Sequence, residues 1–150
     1  MGGAEGSNPG SRSKCHYRPQ DHRLDVMELG DFENHVITIN NNQHYSQGVA
    51  FGIYITARFD RTWWKYKHSR GYRVSLLDIG HVSQILQLCA TACGLKTWLT
   101  AAIDDSGVND FLKIDGLIES VFIFVGAGQR KYPAVPDLIQ KLLKQQNNNK

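Results

Sequence analysis

Apolar positions are unevenly spread along this chain, and their period changes several times. The opening run MGGAEGSNPGSRSK (1–14) holds almost none of them. So little apolar surface cannot offset the entropy of ordering a Gly- and Ser-rich backbone, so a disordered N-terminal tail is expected. From Cys15 to Leu29, CHYRP and HRLDVMEL alternate apolar with polar residues around Pro19-Gln20-Asp21. That alternation, interrupted by turn residues, predicts a short hairpin. Residues 34–47 are polar and rich in Asn, a connection or a weak helix. GVAFGIYITARF (48–59) then has the β-branched and aromatic density of a buried strand.

Beyond it, Asp60 is placed to cap a short helical turn carrying Trp63-Trp64-Lys65-Tyr66, and Gly71 is expected to break the chain. A long helix follows over Tyr72 to Cys93, closed by Gly94. Its apolar residues Val74, Leu77, Val82, Ile85, Leu86, Leu88, Cys89 and Ala92 cover more than one narrow stripe. A helix of that kind is buried on two sides, at the centre of a domain or sealing a dimer. LKTWLTAAI (95–103) reads as a strand, DDSGVNDFLKI (104–114) as an acid-started helix, and ESVFIFVGAG (119–128) as a second buried strand. A last helix is expected over 136–145, with Pro136 at its start and Leu138, Ile139, Leu142 and Leu143 on one edge. Strands alternating with helices predict a layered α/β or α+β domain. No internal repeat is evident.

At 150 residues the chain has room for one core, placed over residues 15–144 between the N-terminal tail and the polar run QQNNNK (145–150). Its longest apolar runs are too short to span a bilayer, so no membrane association is expected. The start lacks the apolar centre of a secretory signal, which makes the cytoplasm the default compartment, without disulfides. Cys89 and Cys93 lie four apart on the long helix, where a metal would still want two more soft ligands; small core residues are the plainer reading. A net charge of +3, spread rather than blocked, gives no reason to expect nucleic acid.

The densest candidate chemistry is RTWWKYKHSRGYR (61–73). Removing a proton from carbon needs a base near working pH, and lysine reaches that range when desolvated or set beside other cations. Arg61, Lys67 and Arg70 would be those cations for Lys65, Trp63 and Trp64 could exclude water, and Tyr66 could relay the proton. The alternative is a surface turn whose tryptophans pack the core and whose charges face water.

The stretch GYRVSLLDIGHVSQILQLCATACGLKTWLTAAIDDSGVNDFLKIDG, followed by VFIFVGAG, resembles the nitroreductase superfamily of flavoproteins, and within it the SagB-type thiazole- and oxazole-forming dehydrogenases. YRPQDHRLDVM and TARFDRTWWKYKHSRGYR extend the resemblance back to about Cys15. It implies an α+β fold that dimerises through long central helices and holds FMN between subunits. In azoline-oxidising members the flavin takes two electrons, as a hydride to N5, and the ring becomes an azole. The Lys-Tyr motif credited with proton removal falls on Lys65 and Tyr66. Thr100, Ala101 and Ala102 end the strand whose backbone amides meet the flavin edge, although a plain strand end would also favour small residues there. Arg130 and Lys131 stand where a basic side chain often takes the FMN phosphate, or are ordinary solvated charge. His81 and Gln84 match a Gly-His-x-x-Gln pattern of packing or dimer contacts. Gly126 and Gly128 open no dinucleotide-binding glycine series.

The family's first half, with its Arg-x-Ser-x-Arg helix and Pro-Ser-Gly-Gly loop, has no counterpart here; Ser11-Arg12-Ser13 and Gly2-Gly3 are at most remnants. The expectation is a nitroreductase-like layered domain with a central sheet and a long buried helix, truncated at its N-terminal half. A homodimer or a heteromer would supply the rest of the FMN site, and a modified peptide would be the substrate. The alternatives are a flavin-free scaffold in a peptide-modifying complex, or half of a generic nitro or quinone reductase.

Overall fold

The computed structural model describes residues 12–129. The expected helix over 136–145, the polar tail, and Arg130 and Lys131 lie outside the described residues. Ten elements follow in order: β1 (Ser13–Arg18), β2 (Arg23–Leu29), α1 (Glu33–Ile39), a 3-10 turn (His44–Ser46), β3 (Phe51–Arg58), α2 (Phe59–Lys65), α3 (Arg70–Ala92), β4 (Lys96–Thr100), α4 (Asp105–Leu112) and β5 (Glu119–Gly128). This is a mixed α/β arrangement with antiparallel sheets and one long helix. No helix of the described residues is long and apolar enough to cross a membrane.

The predicted hairpin forms as β1–β2, a two-stranded antiparallel sheet of its own. It begins at Ser13, ahead of the expected Cys15, because Lys14 is drawn into the domain. The Lys14 ammonium donates to Glu28 Oε2 at 2.7 Å and to the Phe111 carbonyl at 3.0 Å, and lies 4.6 Å from the Phe111 ring centroid. The weak-helix alternative for 34–47 is realised in α1.

The main sheet has the order β3–β5–β4, with β5 antiparallel to both neighbours, so β3 and β4 run in the same direction. Opposite Ile55 and Thr56 the pairing jumps from Ile123 to Val121 and passes over Phe122. This bulge resets the alternation of faces. Val121 and Phe124, three apart, both join the core cluster of Ile39, Ile103 and Val108 under α1 and α4. Phe122 instead meets Phe59 and Tyr72, each at 5.8 Å between centroids. Gly52 gives the Phe124 ring its space: a Cβ at Gly52 would lie 2.5 Å from that ring.

α3 packs on the other face of the sheet through three small residues and one isoleucine. Gly71, Ser75, Ile79 and Ser83 are buried, while Leu77, Ile85 and Leu88, on the far side, are exposed. The single chain therefore buries one side of this helix, not the two its composition implies. Gly71 lies inside the helix rather than breaking the chain: a Cβ there would sit 3.3 Å from the Tyr66 carbonyl oxygen. It permits close approach instead of ending an element. Asp60 does not cap α2, whose N-cap residue is Arg58; its carboxylate is held 2.8 Å from the Arg58 guanidinium. Cys89 and Cys93 are exposed, not core residues: Cys89 lies in the last turn of α3 and Cys93 is its C-cap.

Candidate active site

β3 delivers the chain into α2, and α2 ends on the candidate pair. Lys65 is its last residue and Tyr66 its C-cap, whose amide donates to the Thr62 carbonyl at 2.9 Å. Lys65 Nζ lies 5.4 Å from the centroid of the Tyr66 ring, within range for a cation–π contact. The Ser75 hydroxyl donates to Thr62 Oγ1 at 3.2 Å and ties α2 to α3 one turn from the pair. Lys65 is exposed and Tyr66 half-buried. Trp63 is 61% and Trp64 82% exposed, so in this chain the indoles do not form the expected dry wall around Lys65. Arg61, Lys67 and Arg70 are exposed too, where solvent and salt screen their effect on the lysine.

Beside the pair is an apolar pocket of about 330 Å³ whose walls include Phe59, Thr62, Trp63, His68, Tyr72 and Leu117. Its Leu117 side is fixed by Asp115. Oδ1 of that residue accepts the backbone amides of Leu117, Ile118 and Glu119 at 2.7, 2.7 and 3.2 Å. These hydrogen bonds, that from Glu119 foremost, hold the Asp115 carboxyl below the usual range. The Phe59 amide donates to the Ile118 carbonyl at 2.8 Å and fastens the loop to α2.

The second candidate region is the end of β4, which stops at Thr100 rather than continuing to Ile103 because the chain turns into side-chain hydrogen bonds. The Ala102 amide donates to Thr100 Oγ1 at 3.0 Å, and Thr100 Oγ1 donates to Gln43 Oε1 at 3.2 Å. The Gln43 amide group in turn donates to the carbonyls of Ala102 at 2.6 Å and Asn40 at 2.9 Å. Buried Asn40 completes the network, donating to Ser46 Oγ at 3.0 Å and accepting from the Tyr54 hydroxyl at 2.9 Å. Thr100 is thus buried and engaged, whereas Ala101 and Ala102 are exposed. Sequence reasoning missed Gln43 and Asn40. Their signal was present in the Asn-rich run: Asn41 and Asn42 take positive φ of 54° and 55°, a conformation that asparagine tolerates and that folds the run back onto β4.

The two regions follow the C-terminal ends of β4 and β3, strands that run in the same direction, without adjoining. Thr100 is level with Phe124, and Phe124 with Tyr54, while α2 begins only after Arg58. Four strand residues, on the order of 14 Å, separate the two levels. His81 and Gln84 are exposed on α3. Among the described residues, no group of His, Cys, Asp and Glu is placed to hold a metal.

Known proteins resemble this chain in sequence or in fold. The chain is 31% identical over 108 residues to the trifolitoxin-processing protein TfxB of Rhizobium leguminosarum bv. trifolii, a match covering 70% of this chain and 29% of TfxB. A solved nitroreductase-type protein from Anabaena variabilis superposes with a TM-score of 0.71 at 24% identity, covering 82% of this chain and 29% of that one. The E. coli microcin synthetase McbBCD complex with truncated pro-MccB17 bound gives 0.67 at 22% identity, covering 85% and 48%. This chain therefore spans less than half the length of each of these proteins. The model of the Nitroreductase family matches residues 11–129, and the chain belongs to that family.

Proposed function

We propose that this chain contributes to an FMN-dependent dehydrogenase that oxidises thiazoline or oxazoline rings in a peptide to azoles, in the cytoplasm, as a homodimer or with a second polypeptide. The observation that carries the reading is the position of Lys65 and Tyr66 at the end of α2, ring and ammonium together, beside a pocket open to solvent. A chain similar to a protein that processes trifolitoxin, with the fold of a complex that binds pro-MccB17, suits a peptide substrate.

The family generally uses flavin. The end of β4 fits such a group: Ala101 and Ala102 are exposed and small, and Gln43 and Thr100 brace their backbone from behind. Arg130 and Lys131 follow β5 and would take the phosphate. When bound, FMN supplies a two-electron acceptor for the ring carbon. The chain's own part is the proton. Lys65 takes it from the neighbouring ring position, and Tyr66 orients the amine or passes the proton on. An amine in bulk water is a poor general base because it is protonated, and a covering surface that desolvates it changes that. The exposure of Lys65 and Trp64 gives a partner chain this role as well as completing the flavin cradle.

A second reading rests on the same exposure: a flavin-free subunit that uses its tryptophans and the outer face of α3 to hold a partner, with Lys65 and Tyr66 chemically idle. A titration of the purified chain with FMN, following flavin fluorescence and oligomeric state together, separates the two. Saturable binding in a dimer supports the enzyme. A soluble chain that binds no FMN at micromolar concentration, alone and with its partner polypeptide, supports the scaffold.

A further inference from the structure

The pocket beside the candidate pair is formed by the same short stretch that carries the pair. Thr62 and Trp63 precede Lys65 by three and two residues, and His68 and Ser69 follow Tyr66 by two and three; all four line the pocket. At about 1.5 Å per helical residue, Thr62 and Trp63 are within one turn of Lys65. One residue of an extended peptide spans about 3.3–3.6 Å, so a peptide seated at the pocket passes within a few residues of the lysine.

The chemistry of the walls is specific. Phe59 and Tyr72 face each other at 6.1 Å between centroids with 31° between their planes. Trp63 adds an indole that is 61% exposed, and Leu117 an aliphatic rim. His68 is the one titratable group of the lining that is neither aromatic alcohol nor apolar, and no Lys, Arg, Asp or Glu lines the pocket. A volume of about 330 Å³ lies at the small end of ligand sites and has room for one aromatic side chain.

We propose that this pocket is a specificity subsite that takes an aromatic side chain of the substrate peptide, from a residue within a few positions of the ring being oxidised. The inference rests on the azoline reading for the identity of the peptide, but not for the binding itself. Rings recognise rings through edge and offset contacts as well as burial, and the walls offer a charged side chain no countercharge.

The test is a titration of the full chain, without flavin, against N-acetylphenylalanine amide, N-acetylalanine amide and N-acetyllysine amide, read by ligand-observed NMR. The phenylalanine amide is expected to bind saturably, and the other two not at the same concentrations. Trp63→Ala removes an exposed wall and should weaken that binding about three- to tenfold, the worth of one aromatic contact. Leu117→Lys, also at an exposed position, should weaken it in the same direction, and circular dichroism shows whether each variant keeps its fold. Equal binding of all three amides, no binding of any, or phenylalanine-amide binding unchanged in both folded variants would overturn the proposal. If the amide binds as expected and azoline peptides are not oxidised, the subsite stands and the azoline reading fails.

Discussion

Gln43 and Ala102 are joined by a 2.6 Å hydrogen bond between elements fifty-nine residues apart in sequence, the side-chain amide donating to the carbonyl just beyond β4. The same side chain accepts from Thr100 and donates to the Asn40 carbonyl. One glutamine therefore fixes the path of the backbone proposed to meet the flavin. The exposed alanines are held by a residue that does not itself need to touch the cofactor.

Gln43→Ala should cost about 0.5–1.5 kcal/mol of stability, because the Ala102 carbonyl and the Thr100 hydroxyl lose their partner while the Asn40 carbonyl keeps the residue-43 backbone amide. FMN affinity should fall with it, since the 100–102 backbone loses its brace. Urea unfolding and flavin fluorescence measure the two effects. An unchanged unfolding midpoint would show that Gln43 is not holding the strand end.

Gly52 faces the Phe124 ring so closely that a methyl group would stand 2.5 Å from it. Phe124 is buried in the core cluster, so its ring has little room to retreat. Gly52→Ala should destabilise the domain by about 1–3 kcal/mol through overpacking. Thermal unfolding checks it, and a variant as stable as the parent would mean that β3 shifts freely against β5.

Asp115 is the source of a pH dependence. Its carboxyl is held below the ordinary value by backbone amides, so the charged form favours the folded state. That contribution is complete above the unfolded value of about 3.9 and is lost as pH falls through the lower folded value. Asp115→Asn keeps an oxygen acceptor and removes the titration, so its stability should fall less steeply than the parent's in acid below that point. Identical acid limbs for the two proteins would count against this role.

Much of the fold was legible in the sequence, and for a physical reason. The hairpin, β3, β4, β5, α4 and the bulk of α3 are set by local periodicity, which survives whatever the tertiary surroundings are. What was not legible depended on contacts between distant elements. Gly71 reads locally as a breaker, yet it stands inside α3 because α2 presses against that spot. Asp60 reads as a cap, yet Arg58 takes its carboxylate. The apolar breadth of α3 implied burial on two sides, and one chain covers only one of them. Within the candidate site, Lys65 and Tyr66 stood out through their aromatic and basic setting. Gln43 did not, because its importance comes from β4, more than fifty residues away, and a polar Asn-rich run gives no periodic signal.

The most direct test of the account is the conversion of an azoline peptide by the flavin-loaded protein with its partner, measured by mass spectrometry as the loss of two hydrogens, for the parent, Lys65→Ala and Tyr66→Phe. Each change should lower azoline oxidation by about a hundredfold or more, the usual weight of a general base, and leave quinone reduction by the same preparations largely intact. Azoline oxidation that survives both substitutions would contradict the assignment of proton removal to Lys65 and Tyr66.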